Sequence, residues 1–274
     1  MESRREPNLV KTTGEVEPFR EPKLRRSLAR SGADRQQITT ITEAVRDRLR
    51  DGMPTSEVFR IAHRLLRGQR RETAARYSLQ RALQRLGPDG FPFEKFIAEL
   101  WRSEGFRTKT GVILAGHLVR HEVDVVARRG DERRLGECKF KVQSDGKVDV
   151  KVALYVRSRA ADLDALTNGE FWLVTNGRFT RDAIVYGEGS GLRLLAWDHP
   201  KGDGLREQID RAGLHPLTAL SSLQRAEQQA LLREGVVLCR TLMERPGVVG
   251  RLRLSRGREA ELWREVEGLC AGGR

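Results

Sequence analysis

The chain has 274 residues, with 51 lysines and arginines against 38 aspartates and glutamates and a formal net charge of +13. That length suits one large domain or two to three small ones, and the positive balance favours a polyanionic partner, nucleic acid or nucleotide, over a neutral metabolite, although arginine-rich solvated surfaces give the same balance. No stretch of about 18 apolar residues occurs, so no membrane span is expected, the N-terminus lacks an apolar signal region, and Cys138, Cys239 and Cys270 stand too far apart for zinc-ligand spacing and read as reduced thiols of a cytoplasmic protein.

Residues 1–86 carry 20 basic and 11 acidic side chains, +9 of the +13. They open with a predicted short hairpin, in which Val10 and Val16 flank a Thr-Gly turn. Leu24 and Leu28, then Ile38, Ile41, Val45 and Leu49, then Val58, Ile61, Ala62, Leu65 and Leu66 follow a helical period. Gly32 and Gly52 serve as stops, and Thr55 or Ser56 as a cap. A last helix, "RRETAARYSLQRALQRLG", reaches the turn signal "LGPDGF" at 86–91. The run "VKTTGEVEPF", then "KLRRSLARSG", then "ARYSLQRAL" resembles the ATP-cone, the nucleotide-binding regulatory domain of ribonucleotide reductases and of their transcriptional repressor. The resemblance covers roughly residues 8–85 and implies ATP or dATP as regulatory ligand, with Val10, Lys11, Gly14 and Lys23 at the nucleotide. Thr12 stands where the family usually has arginine. A lysine beside turn amides makes a modest phosphate cradle; otherwise Lys11 is a solvated strand lysine.

Residues 87–200 are nearly neutral, at +1. Phe93, Phe96, Ile97, Leu100 and Trp101 mark one face of an amphipathic helix with Glu94 at its edge. "HEVDVVARR" and "RRLGECKFKV" read as strands joined around "GDE". A helix in "DVKVALYVRSRAADLDAL", a strand in "EFWLVTN", a helix in "FTRDAIVYGEGSG" and a strand in "LRLLAWD" complete the predicted order of helix, two or three strands, helix, strand, helix, strand. That order predicts a mixed α/β sheet with helices on both faces.

Side chains alternate along a strand, so Leu135, Glu137, Lys139 and Lys141 share one face. Cys138, Phe140 and Val142 share the other, which is expected to be core, with Cys138 a small buried hydrophobe. Asp124 lies on the preceding strand within a strand-neighbour's reach of Glu137. Two neighbouring carboxylates repel each other, and a divalent cation such as Mg²⁺ removes that repulsion. A lysine two residues on can orient or deprotonate a metal-bound water, or neutralise phosphate charge. Alternatively, Glu137 and Lys139 form an exposed cross-strand ion pair. His117 and His121, about 13 Å apart on a strand, are expected to be solvent-exposed and not to share a metal.

This pattern resembles the PD-(D/E)XK nucleases, and within them the Mrr-like restriction endonucleases, over about residues 88–198. The resemblance rests on Phe93-Glu94, Asp124, Glu137-Cys138-Lys139 and the "TN…FT" set Thr175, Asn176, Phe179 and Thr180. It implies Glu94, Asp124, Glu137 and Lys139 as catalytic residues, with Asp124 and Glu137 as Mg²⁺ ligands. On the following helix, Lys151 and Tyr155 could face a DNA backbone or be a solvated face.

Residues 201–274 read as short helices. "LTALSSLQRAEQQALLREGVVLCRTL" resembles the helix-hairpin-helix module, with Ser221 to Leu223 at a turn where that family has glycine. Arg251, Arg253, Arg256 and Arg258 offer a phosphate contact surface, or the module serves packing or homo-oligomerisation. The expectation is an α/β protein of three modules: an ATP-cone-like domain at 1–86, a nuclease domain at 87–200 and a helical domain at 201–274. The expected function is Mg²⁺-dependent DNA cleavage modulated by nucleotide. The alternative is a non-catalytic, nucleotide-sensing DNA-binding regulator with a nuclease-like core.

Overall fold

The computed structural model describes residues 6–11, 14–87, 90–143, 146–164 and 169–270. Thr12, the turn residues Pro88 and Asp89, and Ala165 and Leu166 at the end of a predicted helix lie outside the described residues. Packing divides the chain into two units, Met1–Ser78 and Leu79–Arg274.

In the first unit, β1 (Asn8–Val10) pairs antiparallel with β2 (Val16–Pro18) and parallel with β3 (Met53–Pro54). The turn between β1 and β2 closes with Gly14 at φ +84° donating its N–H to the Lys11 carbonyl, a conformation that favours glycine. Four helices follow the predicted periods: α1 (Glu21–Arg30), α2 (Arg35–Arg46), α3 (Thr55–Gln69) and α4 (Arg71–Tyr77). Their apolar faces meet the sheet in one core that contains Leu9, Leu28, Ile41, Val45, Met53 and Leu66. Asp34 and Gln37 close a capping box at α2. The cap expected at Thr55 or Ser56 does not form; α3 begins at Thr55 directly after Pro54, with no side-chain cap bond. Proline's fixed φ already sets the chain for that start.

The final helix expected in the first module breaks at Ser78. Its second half, α5 (Leu79–Gln84), belongs to the second unit. Arg85 donates to the Thr218 carbonyl, and the Thr218 hydroxyl donates to the Ala82 carbonyl.

Next come α6 (Phe91–Ser103), β4 (Arg107–Ala115), β5 (Arg120–Arg129), β6 (Glu132–Cys138), β7 (Lys147–Val148), α7 (Val150–Asp162), β8 (Glu170–Val174), β9 (Arg178–Phe179), α8 (Arg181–Gly189) and β10 (Arg193–Leu195). The five-stranded sheet runs in the order β10-β8-β6-β5-β4. β4, β5 and β6 are antiparallel neighbours, whereas β6, β8 and β10 run parallel. Helices cover both faces, so this is a mixed α/β fold. On one side α6 buries Phe93, Phe96, Ile97, Leu100 and Trp101, and a Cβ on Gly136 would stand 2.7 Å from the Trp101 ring. Leu135, Phe171 and Leu173 instead join Ala153, Val156 and Ala160 of α7 in another core cluster.

The chain ends in α9 (Leu205–Ala212), a 3-10 turn (Leu217–Ala219), α10 (Arg225–Arg233), α11 (Cys239–Glu244), α12 (Gly247–Gly250) and α13 (Arg256–Cys270). Glu265 on α13 is buried, and its carboxylate accepts both backbone N–H groups of Ser221 and Ser222 and the Ser221 hydroxyl. The turn amides that a helix-hairpin-helix would offer to phosphate are therefore already occupied by a carboxylate. No described helix is long and apolar enough to cross a membrane.

Candidate active site

β5 and β6 pair from Arg129↔Glu132 to Val125↔Gly136. The next step of that register sets Asp124 opposite Glu137, the neighbour relation expected from sequence. Beyond it the two strands part, and the Asp124 carboxylate accepts the Cys138 N–H at 2.7 Å. Lys139 follows immediately after β6, held by its N–H to the Val174 carbonyl. Its own carbonyl accepts the Thr175 hydroxyl, and the Asn176 amide pairs with both backbone groups of Lys141. Thr175 and Asn176 are buried, so they act as a clamp on the segment that carries Lys139. Thr180 caps α8.

Glu137 is not on an open face. It is 3 % exposed, because α7 lies over the strand face that a solvated ion pair would need. Val142 is corrected in the opposite sense. It lies beyond the end of β6 and is exposed rather than core.

Both oxygens of Glu137 are held by cations. Lys139 Nζ stands 2.5 Å from Oε1, and Arg159 of α7 grips Oε2. Arg159 also donates to the Glu122 carbonyl at 3.0 Å and to the Tyr155 hydroxyl, and its guanidinium lies 4.9 Å from the centre of the Tyr155 ring. The sequence reading missed Arg159 and Glu122. Arg159 lies two helical turns past Lys151, and no spacing rule ties it to Glu137.

Burial pushes the Asp124 carboxyl up to about 6, helped by the Glu137 charge. Burial likewise raises Glu94 to about 7, with Asp124, Glu122 and Glu137 adding repulsion. Glu94 thus feels the charges of Asp124, Glu122 and Glu137, and Asp124 that of Glu137, with Lys139 offsetting both and Arg159 the latter. Burial beside Asp124 and Glu94 drives the Cys138 thiol well above its ordinary range, which fits an inert thiol rather than a nucleophile. Among the described residues, no group of three or more His, Cys, Asp or Glu side chains is arranged to hold a metal. Asp124 and Glu137 make two.

The remaining predicted residues lie apart from this cluster. Lys151 is exposed on α7. Arg251 is paired with Glu234, and Arg258 makes two bonds to Glu227. Arg253 and Arg256 are exposed. His121 is not solvent-exposed as expected; its Nε2 meets Asp162 at 2.7 Å, with only 15 % of the side chain exposed. His117 is exposed and meets Asp164.

In the first unit, Val10 is a paired strand residue. Lys11 bridges Glu15 and Glu17 at 2.9 and 3.3 Å, and Lys23 meets Glu17 at 2.9 Å. Glu17 and Lys23 line a cavity of about 190 Å³ together with Phe19, Phe59 and Tyr77. The Phe59 and Tyr77 rings are stacked 5.0 Å apart.

A mixed sheet that carries paired carboxylates and a lysine at the end of its central strands belongs to the restriction-endonuclease-like class, and three family models divide the chain accordingly. Residues 7–86 match the ATP cone domain, residues 87–201 match the restriction endonuclease catalytic model, and residues 215–270 match the AF1548-like C-terminal model. An uncharacterised protein of Archaeoglobus fulgidus is 34% identical over 147 residues, which span 54% of this chain and 83% of that protein, and the chain belongs to its family. The crystal structure of AF1548, a protein of unknown function, is also similar: 30% identity, a TM-score of 0.56, and coverage of 67% of this chain and 99% of that one. The MspJI restriction endonuclease, solved with a 27-mer oligonucleotide, matches at 20% identity and a TM-score of 0.34, over 60% of this chain and 36% of that one.

Proposed function

We propose that the protein is a Mg²⁺-dependent DNA endonuclease that hydrolyses phosphodiester bonds. The observation that carries this reading is the placement of Asp124 opposite Glu137, with Lys139 directly after the same strand and bonded to Glu137, and Glu94 close enough that the Asp124 and Glu137 charges add to the burial that raises it. The donor set fits the metal. Mg²⁺ needs only one or two carboxylates and keeps several waters, and its charge would offset the burial and repulsion that lift Asp124 and Glu94.

Asp124 and Glu137 would hold the ion. Bound there, it would supply Lewis-acid polarisation of the phosphate and a more acidic water. Lys139, its Nζ bonded to Glu137 alone among the described residues and with about a third of its side chain exposed, can leave Glu137 and face phosphate or water. Arg159 has further anchors on Glu122 and Tyr155 and stays to fix the Glu137 carboxylate. Glu94, raised to about 7, can exchange a proton near neutral pH, or orient a water beside the metal.

A calorimetric titration of metal-free protein with Mg²⁺ tests the site directly. One binding event is expected, lost in Asp124→Asn and in Glu137→Gln, with cleavage of a labelled duplex lost in parallel. Wild-type cleavage that persists in EDTA overturns the reading.

The second reading is a non-catalytic, nucleotide-sensing DNA-binding regulator. Its support is the engagement of both Glu137 oxygens by cations, an arrangement that also serves as a purely structural ion triad. For the first unit we infer regulation by ATP or dATP, bound by Lys11, Lys23 and the Gly14 turn. Glu17 now holds both lysines, so a triphosphate must compete with it.

A further inference from the structure

The pairing of β4 with β5 continues past the point where β6 stops. It runs from Val112↔Val123 to Ala115↔Arg120, whereas the last β5–β6 pair is Val125↔Gly136. A two-stranded arm therefore projects beyond Asp124 at the same end of the sheet as Glu137 and Lys139. From Asp124 to Arg120 it extends by about 13 Å at the usual rise per residue.

The arm's tip is unusual in two ways. Its backbone N–H groups are all engaged. Gly116 N–H donates to the Val119 carbonyl and His117 N–H to the Asp162 carbonyl, while Leu118 and Val119 N–H donate to the two Asp162 oxygens. His121 and His117 add side-chain bonds to Asp162 and Asp164. The tip is thus fixed to the end of α7, the same helix whose Arg159 grips Glu137. Yet this fixed turn presents Leu118 at 87 % and Val119 at 60 % exposure, with Ile113 at 58 % below them. Single exposed apolar residues are ordinary. Two adjacent ones on a turn whose N–H groups are all held, with exposed Arg120 beside them, have the character of a wedge; the acidic neighbours Asp162 and Asp164 are taken up by the turn amides and by His121 and His117, and exposed Glu122 lies two residues behind Arg120.

We propose that this arm enters a groove of duplex DNA and that Leu118 and Val119 press into a base step beside the scissile phosphate. This inference rests on DNA being the substrate of the proposed site and names its form, a duplex. A two-stranded ribbon is narrow enough for a DNA groove, and apolar side chains unstack and kink base steps in known groove binders. A second copy of the chain is the poorer occupant, because in a two-fold contact through the tip Arg120 would approach its own equivalent.

The test uses full-length protein in EDTA, so that no cleavage is needed, and duplexes that carry 2-aminopurine at successive positions. Wild type is expected to brighten the probe several-fold at one or two adjacent positions. Leu118→Ser/Val119→Ser should abolish the brightening and weaken duplex binding by about tenfold, with unchanged melting and unchanged single-strand affinity. Leu118→Met should retain the signal, which separates a wedge from a folding defect. No brightening in wild type, brightening that survives the double serine variant, or no duplex binding at all overturns the proposal. So does a change of sedimentation without a change in the probe, which would make the tip a self-association surface. Probe brightening without any Mg²⁺-dependent cleavage would leave the arm standing and remove the nuclease reading; cleavage without brightening would do the reverse.

Discussion

At the scale of residues, Glu137 is the pivot, and its variants separate chemistry from stability. Glu137→Gln keeps a carbonyl oxygen for one of the two cations. Glu137→Ala leaves the Arg159 guanidinium, 14 % exposed, without its carboxylate, a loss of about 3–5 kcal/mol for a broken buried pair. Chemical denaturation is expected to show that loss for the alanine variant and a smaller one for glutamine. Equal stability for both would mean that the triad is solvated. The pH dependence follows from Glu94 at about 7 and Asp124 at about 6. Both lie above ordinary carboxylate values, so the fold favours their protonated forms. Their contribution to stability is fully present near pH 4 and below, and is lost as pH rises through about 6 to 7. In EDTA, the melting temperature of wild type should fall across that window more than that of Glu94→Gln/Asp124→Asn. Mg²⁺ affinity should rise over the same window, because its ligands must be ionised. Identical melting profiles for wild type and the double variant would remove the raised carboxyls from the account.

At the scale of elements, α7 is the part the sequence understated. Period and parity revealed β5, β6, α6 and the approach of Asp124 to Glu137, since alternation and hairpin register are local properties of the chain. They did not reveal that α7 covers that strand face, that Glu137 is therefore buried, or that Arg159 reaches it, since these depend on tertiary packing between segments 22 residues apart. β4 was present only as an optional third strand, because Arg107, Lys109 and Gly111 dilute its apolar alternation. The clamp formed by Thr175 and Asn176 was visible as a motif, but its purpose, hydrogen bonds to Lys139 and Lys141, was not. Arg159→Met is expected to lower kcat by about 100-fold, since a misplaced catalytic carboxylate costs that order, while duplex affinity changes little. Arg159→Lys should recover part of the rate, and equal rates in both variants would deny the guanidinium a positioning role. On the opposite face, Gly136→Ala sets a methyl 2.7 Å from Trp101. Overpacking of this kind costs about 1–3 kcal/mol, measurable by denaturant titration; an unchanged midpoint would mean that Trp101 moves aside freely.

At the scale of the whole molecule, charge and motif are divided between modules. Residues 1–86 hold +9 of the +13, and residues 87–200 hold +1, so a nearly neutral nuclease-like module acting on DNA as proposed would depend on other parts of the chain to attract it. A triphosphate bound in the ATP cone domain would offset several of those positive charges. ATP or dATP is therefore expected to weaken DNA binding or to change oligomeric state, by about 1–3 kcal/mol of coupling. Lys11→Ala should blunt the effect, and Glu17→Gln should tighten nucleotide binding by releasing Lys23 and leaving Lys11 with Glu15 alone. DNA affinity and sedimentation at fixed ionic strength and free Mg²⁺ check this; bound nucleotide with neither quantity altered would end the regulatory idea. More directly, the proposed function has the cluster of Asp124, Glu137 and Lys139 cut DNA with a bound metal. The measurement is nicking of supercoiled plasmid by wild type and by Asp124→Asn, Glu137→Gln and Lys139→Met, each with Mg²⁺ and with EDTA. Relaxed and linear plasmid is expected from wild type with Mg²⁺ alone, none in EDTA, and none from the three variants although each still binds the plasmid. Nicking undiminished by EDTA, or a folded wild type that binds plasmid with Mg²⁺ and leaves it intact, would contradict it.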